Sequence, residues 1–143
     1  MTHSPSAAVS AKPLSGAWTF APLAARLLLS AIFLISGFGK LVAPSATIGL
    51  IASVGLPFPQ LGYVGAVALE LIGGSLLVVG YRTRYVALAF AAFSIATALI
   101  FHNALADQNQ FIHFLKNLAL AGGLLHVAAF GAGPFSLDAR RAR

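Results

Sequence analysis

Four apolar runs, residues 22–40, 60–80, 85–104 and 110–130, dominate the chain. Each holds about 20 residues, and at roughly 1.5 Å per residue a helix of that length crosses a hydrocarbon core roughly 30 Å thick. A spanning segment in lipid has to satisfy its own backbone, so the runs predict helices and exclude open sheets. Composition agrees: 59% of residues are hydrophobic and only 8% are charged, against roughly 25% charged in an ordinary soluble domain. The expected fold is an all-α membrane protein, a four-transmembrane-helix bundle in one domain over residues 21–132. Residues 1–20, rich in Ser, Ala and Pro, read as a flexible tail, and residues 133–143 as a basic one. The first run is not read as a cleaved signal peptide, because no small-x-small site leads into a polar mature domain and further spans follow.

Residues 41–59 connect the first two spans and are punctuated by Pro44, Pro57 and Pro59. Ile48, Ile51 and Val54 fall at helical spacing behind Ser45, a candidate cap. This short helix cannot span, so it is expected at the interface or folded back over the bundle.

An even number of spans puts both termini on one side. Lys12, Arg26, Arg82, Arg84, Arg140, Arg141 and Arg143 then share that side, against Lys40 and Lys116 on the other. This asymmetry predicts cytoplasmic N and C termini in a bacterial inner membrane. The net charge of +6 therefore reads as a topology signal. The cations are not interleaved with aromatic residues, which argues against nucleic acid as a partner. The chain has no cysteine, so disulfides, thiolate chemistry and Cys metal sites are excluded for it.

Glu70 stands alone in the second apolar run. A carboxylate at that depth has to face protein and find a partner. Ala66 and Gly74 lie one turn to either side of it, Gly73 is close by, and Gly37 lies on the first span; such small residues allow helices to approach. Gly122 and Gly123 suggest another close contact on the fourth span. On the first span Arg26, Ser30, Phe33, Gly37 and Lys40 form one helical stripe. With the ends of the spans aligned, Arg26 and Lys116 fall nearest Glu70 in depth, and Lys40 is expected to snorkel outward. Glu70, Arg26 and Lys116 are thus the expected intramembrane ion pair or ligand pocket, a register-fixing strut at the least. A second candidate is the polar cluster of His102, Asn103, Gln110, His113 and Asn117 at the opposite end from the termini. It could hydrogen-bond a quinone-like headgroup, or simply sit at the headgroup level. His102 and His113 make too thin a ligand set for a metal. No nucleophile–base pair is present, and Gly73-Gly74 lacks the strand and spacing of a dinucleotide loop. Self-contained catalysis is not supported.

Taken together, Arg26-Leu27-Leu28-Leu29-Ser30, Ser36-Gly37-Phe38-Gly39-Lys40, Val54-Gly55-Leu56-Pro57, Glu70-Leu71-Ile72-Gly73-Gly74, Gly80-Tyr81-Arg82-Thr83-Arg84, Phe114 to Leu124 and Gly133-Pro134-Phe135-Ser136-Leu137-Asp138 resemble the DoxX family of small bacterial membrane proteins. The resemblance covers residues 22–140 and depends on the order and spacing of these pieces. It implies a four-helix inner-membrane protein. Some members resemble subunits of thiosulfate:quinone oxidoreductase, and others are associated with membrane oxidoreductases or with quinone and thiol stress. The expected role is an accessory or quinone-binding subunit in the lipid bilayer with a soluble or membrane redox partner; a second copy of the chain, as a homo-oligomer, is a further candidate partner. A small proton-coupled transporter or permease, or a structural anchor for a soluble partner, are the alternatives. Quinone is the one cofactor implied, and no family catalytic residue is carried over.

Overall fold

The computed structural model describes residues 16–142. A single 3-10 turn, Gly16–Phe20, leads into α1 (Ala21–Val42), with Pro22 in its first turn. The connection folds as α2 (Pro44–Ser53). Its first residue is Pro44, and no side chain caps it, so the expected role of Ser45 is not seen. Then come α3 (Pro59–Val79), α4 (Thr83–Phe101), α5 (Gln108–Phe130) and the short α6 (Leu137–Arg141). Asp107 caps α5 by accepting from the Gln110 amide at 2.8 Å. No strand occurs among the described residues.

The four long helices, counting Gly16–Phe20 with α1, are apolar and long enough to cross a bilayer. The bundle is two antiparallel pairs, α1 with α3 and α4 with α5, closed by α3 against α4 and α1 against α5. Phe33 of α1 stacks on Phe90 of α4 at a centroid distance of 3.9 Å, and Leu77, Ala87, Ala91, Ala121, Leu124 and Val127 complete the core. Leu28, Ile35, Leu61, Ile72 and Phe130 project outward, each more than 60% exposed. In water such a surface would drive association, whereas in lipid it is the solvated face. The chain is an all-α membrane bundle.

α1 and α3 approach closely because glycine stands where they touch. A Cβ on Gly37 would lie 2.9 Å from the Glu70 Cβ, and one on Gly74 would lie 2.8 Å from the Leu34 side chain. A Cβ on Gly73 would meet the Phe90 ring at 3.1 Å. Gly123 faces Leu29 at ordinary contact distance. Gly122 is exposed with open space around it, so the close contact expected there is not made.

The end of the bundle that holds the termini is closed by the chain itself. α3 stops at Gly80, whose φ of 70° suits glycine. The amides of Gly80 and Tyr81 donate back to Leu77 and Leu76, closing a Schellman turn. Arg82 follows with φ 50°, a non-glycine residue in the left-handed region, which costs about 1 kcal/mol. The Asp138 carboxylate offsets this by accepting from the Arg82 and Thr83 amides at 2.8 Å each. It caps the start of α4 from the far end of the chain. The Asp138 amide returns a bond to Gly80 O at 2.9 Å, and Phe20 stacks on Phe135 at 4.7 Å. Of the segment expected as a flexible tail, Gly16–Phe20 forms a 3-10 turn held by these contacts, and the basic tail forms a short helix at Leu137–Arg141; residues 1–15 lie outside the described residues.

Burial works to raise the Asp138 pKa, but the hydrogen bonds from Thr83 and Arg82 and the nearby Arg141 charge outweigh it, so the group lies below its ordinary 3.8. A carboxyl depressed in the folded state contributes stability that is fully present above its unfolded value and lost as pH falls through the folded one. Amide-exchange protection factors at Arg82 and Thr83 should therefore hold from neutral pH down to the ordinary carboxyl value and collapse below it. Asp138→Ala should remove that protection at every pH and cost about 1 kcal/mol, the usual worth of a helix cap.

Candidate ligand site

Glu70 lies in a π-helical turn, Leu69–Gly73, inside α3. Such turns are rare, shift the helix face locally, and are frequent at functional sites. Here the turn holds Glu70 against α1, where Gly37 leaves room for its Cβ. The carboxylate is 3% exposed at the residue level.

Its partner is Lys40. The Lys40 ammonium donates to Glu70 Oε1 and Oε2, each at 2.8 Å, and to Ser36 Oγ at 2.6 Å. All three of its protons are thereby used. Tyr63 adds a bond of 3.4 Å from its hydroxyl to the Lys40 carbonyl. This is the one ion pair among the described residues.

The expected partners, Arg26 and Lys116, do not reach Glu70. Arg26 is fully buried nearer the terminal end, where Nη1 donates to the Leu77 and Val78 carbonyls at 3.0 and 2.9 Å and Nη2 donates to the Phe135 carbonyl. It satisfies the last carbonyls of α3, where a cation is also favoured by the helix dipole. Lys116 is exposed and lies 3.0 Å from His113 Nδ1. The reason is register. Gly37 is level with Glu70, and Leu34 with Gly74. The antiparallel pair is thus displaced by about two helical turns from an alignment of the span ends. The displacement brings Lys40 down to Glu70 and leaves the first turns of α3 to be covered by α2.

A cavity of about 410 Å³ opens beside the pair. Ser36 and Lys40 come from α1, Gly62, Ala66 and Glu70 from α3, and Phe93, Thr97 and Phe101 from α4. α2 supplies Thr47, Leu50 and Ile51; Ile51 rests over Gly62, where a Cβ would lie 3.5 Å away. The volume falls within the range of small-ligand sites, and the pattern of apolar walls with a few converging polar groups is what such sites use. Ser36 accepts from Lys40, and its own proton has no acceptor among the described residues. An ammonium bonded to a hydroxyl oxygen strengthens that hydroxyl as a donor.

The polar cluster divides. His102 borders the cavity, bonds Gln110 Oε1 through Nδ1 at 2.8 Å, and stacks on His113 at 5.0 Å. Asn117 turns back to the His113 carbonyl at 3.1 Å, and Asn103 is exposed. Among the described residues no group of three metal-ligating side chains converges. Ser36 and the Lys40 role were missed in the sequence. The four-residue spacing of Ser36 and Lys40, on the stripe that also holds Gly37, was the available signal.

Removing one partner leaves a buried charge unpaired. Lys40→Met and Glu70→Gln should each lower unfolding stability in detergent by about 3 kcal/mol. The double variant should cost less than the sum, with a coupling of about 2 kcal/mol. Coupling of the same size between Glu70 and Lys116 instead would contradict this pairing.

A profile described as DoxX matches residues 21–103. The chain is 35% identical over 116 residues to the inner membrane protein YqjF of Escherichia coli K12, covering 81% of this chain and 88% of that one. It is 37% identical over 123 residues to the inner membrane protein YphA of the same organism, covering 82% and 88%. No solved structure matches the chain.

Proposed function

The chain belongs to the DoxX family of integral inner-membrane proteins, and from that premise we propose that its Lys40–Glu70 cavity binds a quinone-like headgroup, as the ligand-binding subunit of a membrane redox system. The observation that carries this reading is the Ser36 hydroxyl at the wall of a largely apolar cavity of about 410 Å³, polarised by Lys40 and with its proton unspent. A quinone is an apolar ring with carbonyl acceptors that arrives dissolved in lipid. Phe93 and Phe101 offer it ring contacts, and Ser36 offers the donor. Glu70 neutralises Lys40 without blocking that hydroxyl, so the pair serves as a preorganised source of polarity. No redox step is assigned to the chain itself, and electrons would pass to or from a partner.

The test is calorimetric titration of nanodisc-embedded protein with a short-chain benzoquinone, corrected for partition into empty nanodiscs. Ser36→Ala keeps the ion pair and should weaken binding about fivefold, the worth of one neutral hydrogen bond. A Lys40→Met/Glu70→Met protein, neutral and still helical, keeps the hydroxyl but loses its polarisation, and should bind more weakly than wild type by no more than Ser36→Ala does. If wild type shows no saturable uptake beyond partition, the quinone reading fails.

In the proposed orientation the end with both termini faces the cytoplasm, supported by the cations Arg82, Arg84, Arg140 and Arg141 gathered there. The chain has no cysteine, so a single Ala142→Cys can be probed cleanly. An impermeant maleimide should label it in inverted vesicles and leave it unlabelled in spheroplasts; the reverse pattern would invert the topology.

A further inference from the structure

A second cavity lies at the opposite end of the bundle from the Lys40–Glu70 site. It measures about 390 Å³ and sits between the first turn of α4 and the Gly131–Ala139 segment. Arg82 and Arg84 border it, with Tyr85, Gly131, Ser136 and Asp138. No carboxylate pairs with either guanidinium among the described residues. Asp138, the one acid in the wall, already spends both oxygens on the Arg82 and Thr83 amides. Its charge leaves the cavity net positive.

The backbone at Arg82 is held in place. Arg82 keeps a left-handed φ of 50° that a glycine or asparagine would adopt more easily, and Asp138 and the Gly80 turn fix it there. Arg84 lies on the first turn of α4 facing Gly131, where a Cβ would be 3.6 Å from its Nε. Its guanidinium has no hydrogen-bond acceptor among the described residues. The local potential is also felt by Tyr81, whose phenol is held below its ordinary value by Arg82 and then Arg141 beside it. Arg141 packs over that ring at 4.6 Å.

What would fill the cavity has to be anionic and to come from the plane where a membrane helix ends. Arginine forks match phosphate oxygens bidentately. Beside the cavity, Tyr85 is 70% exposed and Phe130 76% exposed. They are aromatic residues at the ends of spanning helices, where a headgroup meets its acyl chains. Basic pockets between helix ends are a known way of holding anionic lipid headgroups. We propose that Arg82 and Arg84 form a phosphate-binding site at this end of the bundle that takes the headgroup of an anionic phospholipid. The site is independent of the quinone reading, because it shares no residue with the other cavity.

The test uses the full chain in phosphatidylcholine nanodiscs, with or without phosphatidylglycerol, and reads the thermal midpoint and the lipid retained in native mass spectrometry. Wild type should retain phosphatidylglycerol and gain thermal stability from it. Arg84→Gln should weaken retention roughly tenfold, as loss of a charge-assisted fork implies. Arg140→Gln, the same charge change at an exposed position outside the cavity, should weaken it by much less. Arg84→Lys, which keeps the charge and loses the fork, serves if the glutamine variant does not fold and should also bind more weakly than wild type. A titration with inorganic phosphate separates the two sources of the anion. Stabilisation by phosphate alone, lost in Arg84→Gln, would keep the site and assign it to a free anion. The proposal is overturned if Arg84→Gln and Arg140→Gln act equally, which is diffuse charge attraction, or if neither phosphatidylglycerol nor phosphate stabilises wild type.

Discussion

A carboxylate buried in a membrane bundle needs a cation at bonding distance, and much of this structure follows from meeting that need. Glu70 is the only glutamate in the chain. Lys40 reaches it with bonds of 2.8 Å to both oxygens. For the two to meet, α1 and α3 must slide until Gly37 is level with Glu70, and the helices can approach there because glycines remove the obstructing Cβ atoms. The π turn at Leu69–Gly73 gives the local shift of face. The slide leaves the start of α3 beyond the end of α1, and α2 folds back to cover it. The cavity is the space that this arrangement encloses.

The two ends of the bundle are therefore built on different principles. At the end carrying the termini, backbone polar groups are satisfied by long-range side chains: Arg26 on the carbonyls of α3, and Asp138 on the amides opening α4. At the other end an ion pair, a hydroxyl and two imidazoles lie beside or near an apolar hollow. The first arrangement fixes helix ends where backbone groups would otherwise lack partners. The second gathers polar groups at and near the wall of an apolar cavity.

The spans could be read from the sequence because length and hydropathy report directly on the bilayer. The observed helices depart from the apolar runs by only a few residues at each end. The need for a partner to Glu70 was equally plain, since a lone charge in an apolar run has few physical solutions. The partner itself was not legible. Depth inferred by aligning span ends chose Arg26 and Lys116, but the true register depends on which side chains are small at the α1–α3 contact and on the fold-back of α2. The spacing of the small residues and of Ser36 and Lys40 marks the contact face, but not the register at which the helices meet along it. Asp138 likewise looked like one charge in a basic tail, and only the fold shows it capping a helix that begins 55 residues earlier. Local pattern reports local structure, whereas long-range pairing depends on how the helices slide.

Membership of the DoxX family supports the membrane architecture, and the chemistry of the chain rests on the geometry of the Lys40–Glu70 pair. That pair can be observed without any ligand. With ¹⁵N-lysine and ¹³C-glutamate labelling, the chain carries one labelled carboxylate at Glu70 and three labelled lysines, Lys12, Lys40 and Lys116. Dipolar recoupling by solid-state NMR in a lipid bilayer should show strong side-chain nitrogen-to-carboxylate transfer assigned to Lys40, absent in Lys40→Met. Transfer that survives Lys40→Met and disappears in Lys116→Met would contradict the register and the cavity built on it.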